Sequence, residues 1–247
     1  MVAGLLVLRR SGSPFRAHER SSVYVRLVVT LLVWTAFIGA LIFGAAGTLN
    51  WPAGWAYLFL SYGLGLPISV TLGRHDPELL RARLGGPFAQ GQPGWDKVLL
   101  PVIMLVYLGW LGLMPLDAVR FRLSHVPVFL QCLGGLCLAC AMWWIHLTLR
   151  ENPYAAPVVK VQRERGHHVV DTGPYAVVRH PMYAISTLYF LSAPLLLGSW
   201  YGLALVPLLT ALFAVRAVLE ERTLMRELPG YAEYAVRVRY RFLPLVW

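Results

Sequence analysis

Four stretches of this chain, residues 27–46, 51–72, 98–116 and 126–149, hold no lysine, arginine, aspartate or glutamate and are almost continuously apolar. A helix needs about 20 such residues to cross the hydrocarbon core of a bilayer, where the backbone finds no water and must satisfy its own donors and acceptors. The four stretches are therefore read as membrane spans. Composition agrees, since 57% of the 247 residues are hydrophobic and 14% charged, far from the balance of a soluble domain. The sequence predicts an all-α, polytopic integral membrane protein.

A fifth apolar stretch, 182–215, is 34 uncharged residues long, short of two full spans at about 20 each. Gly198, Ser199, Trp200, Tyr201 and Gly202 near its middle suit a tight turn. The expectation is a helical hairpin, giving about six spans in all, with the second arm extended past Arg216. The long Arg216 side chain is expected to snorkel to the headgroups or to pair with Glu220 four residues on. Pro194 and Pro207 are expected to kink the two arms. A re-entrant hairpin is the alternative.

Charge placement sets the orientation. With six spans and both termini on one side, every one of the 22 basic residues except Arg120 and Arg122 falls on that side. Basic residues of short loops stay cytoplasmic, so both termini and the 150–181 loop are expected to face the cytoplasm. Arginine far outnumbers lysine, which suggests a bacterial inner membrane. The net charge of +10 then serves orientation and attraction to anionic lipid, and no soluble basic domain is left for a nucleic acid. Residues 1–8 are apolar, but they are too few, and followed instead of preceded by arginines, to read as a signal peptide. The chain reads as one domain, with residues 1–139 as N-terminal helices and 140–247 as the part that carries chemistry.

Several features read as structural. Cys132, Cys137 and Cys140 lie in the fourth span, where thiols act as small apolar side chains, and no metal-ligand pattern accompanies them. Ala36, Ala40 and Gly44 recur every four residues and form a face for close helix packing. Residues 77–84 suit an interfacial helix with leucines in lipid and arginines toward phosphates. His146, beside Trp143 and Trp144, is expected in the aromatic belt.

Polar chemistry gathers on the inner side in two segments. In the first, Gly173 and Pro174 predict a turn, and Pro181 fits the first position of a helix, where its missing donor costs nothing. Arg179 and His180 then stand at the positive end of that helix beside free backbone donors, a place that attracts anions. Paired hydrogen bonds from Arg179 would suit a ligand carboxylate. In the second segment Glu220 and Glu221 close an apolar helix. Adjacent helical positions diverge by about 100°, so one carboxylate is expected to face a ligand and the other a structural arginine.

Gly173, Pro174, Tyr175, Arg179, His180, Pro181 and Tyr183, followed by Glu220, Glu221, Leu224, Gly230, Tyr231 and Tyr234, resemble the pattern of the isoprenylcysteine carboxyl methyltransferase family and its bacterial phospholipid methyltransferase relatives. The resemblance covers residues 140–245. It implies a cytoplasmic S-adenosylmethionine site capped by the C-terminal tail, formed by Gly173, Tyr175, Arg179, His180, Pro181, Tyr183, Glu220 and Glu221, with Arg179 and the two glutamates closest to the chemistry. Asn152 and Arg163 would border it. The implied partner is a small lipophilic methyl acceptor, as carboxylate, amine or thiol, entering from the bilayer. Two other readings compete. One is an NADPH-dependent membrane sterol or enone reductase, whose related segment has asparagine where this chain has Met182, and the other is a lipid-binding protein without catalysis.

Overall fold

The computed structural model describes residues 17–86, 88–244, 246 and 247, and every regular element among them is helical. The reading of residues 1–8 lies outside these residues. The first span is α1 (Ala17–Ala46). The second is composite: α2 (Pro52–Leu58) passes through a π-helical turn at Phe59–Gly63 into α3 (Gly65–His75). A short α4 (Pro77–Arg83) follows, capped by the Asp76 side chain, which accepts the Leu79 amide at 2.8 Å. The third span is α5 (Gly94–Pro115), continued by a π turn at Leu116–Arg120, and the fourth is α6 (Val128–Glu151).

The expected hairpin is present. It consists of α7 (Pro181–Leu197), a short α8 (Trp200–Ala204) and α9 (Val206–Glu227), and a surface helix α10 (Tyr231–Arg237) follows. Gly198 ends α7 at φ 83°, a conformation that glycine adopts without a steric cost. Ser199 then caps α8 by accepting the Gly202 amide. Among the described residues five helical segments are long and apolar enough to cross a bilayer, and α7 is a shorter apolar helix of 17 residues. At 1.5 Å per residue α7 extends about 25 Å, which brings it close to the thickness of the hydrocarbon core. Pro207 does not kink the second arm. It occupies the first turn of α9, where proline is tolerated because that amide has no partner within the helix.

Alternating spans leave the start of α1, the ends of α3 and α6, and the starts of α5 and α7 at one end of the bundle, here called the inner end, with the end of α9. The core runs between the two ends through Ile38, Ile42, Tyr57, Leu111, Met114, Leu138, Leu197 and Leu209. Close approach of α6 and α7 depends on Gly134, where a methyl group would stand 2.6 Å from the Leu196 backbone nitrogen. Within the core, the hydroxyls of Tyr57, Tyr107 and Tyr189 close a ring of hydrogen bonds at 2.6, 3.0 and 3.2 Å. Each phenol satisfies its neighbour, so polar groups sit inside the apolar bundle without an orphan.

Three sequence expectations are corrected here. Leu79 and Leu80 of α4 do not enter lipid. They are buried against Val23 and Leu27 of α1 and Leu149 of α6, because α4 folds back under the bundle. His146 is buried, with Nδ1 unpartnered, and so does not meet headgroups as a belt residue. Trp143 and Trp144 are exposed as a belt requires. The Ala36, Ala40 and Gly44 face is exposed and packs on no other described helix, because α1 turns Ile38 and Ile42 inward instead.

Candidate functional site

The inner end of the bundle is opened by a cavity of about 260 Å³ between α7 and α9, roofed by the 152–170 loop and α10. Its floor begins with the predicted turn. Gly173 takes φ 54° and starts a single 3₁₀ turn with Pro174, after which Pro181 opens α7. Tyr183 is thereby placed one turn into α7, facing α9. Its hydroxyl donates to Glu220 Oε2 at 2.6 Å, and Arg216, one turn before Glu220, sets its guanidinium 5.9 Å from the Tyr183 ring centre. Cation, aromatic face and carboxylate thus form one stack on the cavity wall.

The neighbouring carboxylate points elsewhere. Glu221 is 2% exposed and receives Arg179 Nε at 2.7 Å, Arg241 Nε at 2.9 Å and a contact with His180 Nε2 at 3.2 Å. Arg179 Nη1 donates to the carbonyls of Ala235, Val238 and Arg239, the unpaired acceptors at the end of α10. The backbone amides of Arg179 and His180 donate to the carbonyls of Tyr240 and Arg241. The free donors expected beside them, at the start of α7, are engaged too, since the Tyr183 and Ala184 amides donate to the His180 carbonyl. The tail therefore caps the cavity through a charged hub below its wall. His180 stacks on Tyr183 with ring centres 5.2 Å apart and planes at 8°, so hub and wall are mechanically joined.

Of the residues named from the sequence, Tyr175, Arg179, His180, Pro181, Tyr183 and Glu220 line the cavity, as does Asn152. Gly173, Glu221 and Arg163 do not. Gly173 acts through its turn, Glu221 through the hub, and Arg163 is exposed in the loop. Arg216 neither snorkels nor pairs with Glu220. It is 7% exposed, its Nε donates to Asp96 Oδ1 at 3.0 Å, and its Nη2 donates to the Pro157 carbonyl at 2.6 Å. Asp96, fully buried, also accepts Gln92 Nε2 and the Val159 amide. One carboxylate thereby ties α5, α9 and the roof loop together.

Sequence reasoning missed much of the roof. Tyr154, His167 and His168 line the cavity beside Tyr231 of the motif. The Tyr154 and His167 rings stack at 4.1 Å, and His167 Nδ1 accepts the Gln162 amide at 3.2 Å. Burial, reinforced by the charges of His168 and Arg165 and opposed by Glu164, moves the His167 imidazole from 6.5 down to about 4. It is therefore neutral at physiological pH. The Tyr231 hydroxyl is buried without a hydrogen-bond partner, an arrangement that costs on the order of 1–3 kcal/mol unless a ligand satisfies it. Loop residues carry no helical periodicity, so only their polar and aromatic composition marked them. Among the described residues no group of three or more histidine, cysteine, aspartate or glutamate side chains gathers to hold a metal.

The cavity joins the first half of the sequence motif, on the turn and α7, to the second half, on α9 and α10. Residues 129–231 match the phospholipid methyltransferase family. That stretch runs from the start of α6 to the first residue of α10 and contains the hairpin and most of the cavity wall. It indicates a membrane methyltransferase, and such an activity implies a methyl donor. No curated protein matches the sequence.

Proposed function

We propose that the chain binds S-adenosylmethionine in the cavity between α7 and α9 and transfers its methyl group to a small lipophilic acceptor arriving from the bilayer. The observation that carries this reading is the Tyr183–Glu220 hydrogen bond, which joins the two motif halves across one cavity. The fit is chemical as well. A zwitterionic, aromatic donor molecule calls for both signs of charge and flat side chains. The wall supplies Glu220, Arg216 and Arg83, the roof supplies Tyr154 and neutral His167, and the orphaned Tyr231 hydroxyl lacks only a partner.

When bound, S-adenosylmethionine supplies a methyl group already activated on a sulfonium. The residues therefore have to align and desolvate. Tyr183 fixes the Glu220 carboxylate against the wall, and Arg216 stands over the Tyr183 ring. Among the described residues no group bonds to Glu220 Oε1, and that oxygen takes up the proton of an acceptor that carries one. Phe213 and Ser186, also lining the cavity, open it toward the bundle and the acceptor. Glu221, Arg179 and Arg241 hold the tail closed and exclude water. We place this end at the cytoplasm of a bacterial inner membrane because the basic residues gather there, and we treat the chain as one domain because the Asp96 network binds its first half to Arg216 and Val159 of its second.

Isothermal calorimetry on the detergent-solubilised protein tests the reading. Binding of both S-adenosylmethionine and S-adenosylhomocysteine is expected, and the label of methyl-labelled donor should appear in a lipid-soluble product of membrane extracts. NADPH binding without either sulfur compound would replace the proposal with a reductase.

A further inference from the structure

The opposite end of the bundle holds the two basic residues that the charge bias leaves out. Arg120 ends the π turn after α5 and Arg122 follows in the connecting loop. Neither side chain makes a hydrogen bond or ion pair among the described residues, and Arg122 is their only non-glycine residue with positive φ, at 53°. A bulky residue is held in that region against steric strain. The loop is fixed from below by Asp117, whose backbone carbonyl accepts the Leu123 amide and whose Oδ2 accepts the Ser124 and Ser199 hydroxyls.

Both arginines line an open cleft of about 920 Å³ with His125, Thr48, Asn50 and Gln131. Among the described residues no acidic side chain lines it, and Asp117 is 2% exposed beneath the loop. Gly47, at φ 73°, leaves room for the Arg120 guanidinium, since a methyl group there would stand 2.6 Å from Nη1. Around the cleft Phe121, Leu123, Val128 and Phe129 are exposed. Unpaired cations beside apolar side chains that continue down α6 match an amphiphile with an anionic head, and a soluble anion would use only half of these features.

We propose that this cleft binds the phosphate of an anionic phospholipid through Arg120 and Arg122, with Phe121 and Phe129 against its acyl chains. The site is independent of the methyl-transfer cavity at the other end. It explains why two arginines persist where basic residues disfavour the orientation, and why a strained backbone is kept to aim one of them.

Native mass spectrometry of the detergent-solubilised full chain tests the proposal, with phosphatidylglycerol and phosphatidylcholine of identical acyl chains added in competition. The wild-type protein is expected to retain phosphatidylglycerol at least tenfold over phosphatidylcholine. The Arg120→Gln/Arg122→Gln variant should lose that preference at least tenfold while keeping its melting temperature and its binding of S-adenosylmethionine, and Arg120→Lys/Arg122→Lys should keep most of it. Equal retention of the two lipids by the wild-type chain overturns the proposal even if the glutamine variant does not fold. So does an unchanged preference in that variant. Displacement of phosphatidylglycerol by millimolar inorganic phosphate would assign the cleft to a soluble anion and overturn the lipid reading.

Discussion

Glu220 and Glu221 are adjacent in sequence, yet the first turns its carboxylate to Tyr183 on the cavity wall and the second sinks into a hub of Arg179, His180 and Arg241. The 100° between consecutive helical residues divides one motif into a cavity-facing and a buried, ion-paired carboxylate.

From this division, Glu220→Gln and Tyr183→Phe should each lower methyl transfer with little change in melting temperature. A lost hydrogen bond to a charged group is worth about 1.5–3 kcal/mol, or roughly tenfold to a hundredfold in rate. Turnover with labelled donor, read beside thermal unfolding, checks it. Full activity in both variants would remove Glu220 from the site.

Glu221→Ala should act through folding. It strands the buried Arg179 and frees the half-buried Arg241, a loss of about 3–5 kcal/mol against a total stability of about 5–15 kcal/mol. A large fall in melting temperature is expected, together with protease sensitivity of the 228–247 segment. An unchanged melt would show that the tail is held by other contacts.

Asp96 and Arg216 should behave as a coupled pair. Each of Asp96→Asn and Arg216→Gln leaves a buried partner uncompensated, so their individual destabilisations are expected to exceed the effect of the double variant relative to simple addition. A double-mutant cycle in chemical or thermal unfolding measures this. Additivity would mean that the 3.0 Å contact contributes nothing.

Acidification should loosen the roof. His167 protonates near 6.5 in the unfolded chain and near 4 in the folded one, so the unfolded state takes up its proton first. The stability that this imidazole contributes is present in full above pH 6.5 and is lost as pH falls from there toward 4. The difference in melting temperature between the wild-type chain and His167→Gln should narrow across that window. A constant difference would show that His167 is not held neutral by burial.

For topology, Arg163→Cys, in a background where Cys132, Cys137 and Cys140 are replaced by serine, should react with a membrane-impermeant maleimide only after permeabilisation. Arg122→Cys should react in intact cells. Reversed labelling would place the cavity on the outer side.

The spans and the hairpin were legible because hydrophobic stretches of sufficient length have one solution in lipid. The turn at Gly173 and the helix start at Pro181 were legible because glycine and proline restrict the backbone wherever they stand. Arg216 was misread because local spacing offered Glu220, whereas the partner chosen, Asp96, lies 120 positions away and leaves no trace in neighbouring sequence. Leu79 and Leu80 were assigned to lipid for a similar reason. An amphipathic pattern reports that one face is apolar, and whether lipid or protein covers that face depends on how α4 folds back. The roof residues Tyr154, His167 and His168 had no periodic signal to expose them.

The cavity roof is drawn partly from Leu228, Tyr231 and Tyr234, beyond the apolar helices, and the amides of Arg179 and His180 are engaged only when the segment at Tyr240 and Arg241 arrives. During synthesis the bundle can therefore be inserted and packed while its ligand pocket does not yet exist. A chain halted before Tyr231 would be a well-inserted membrane protein with an unformed site, which separates the quality control of insertion from the acquisition of activity.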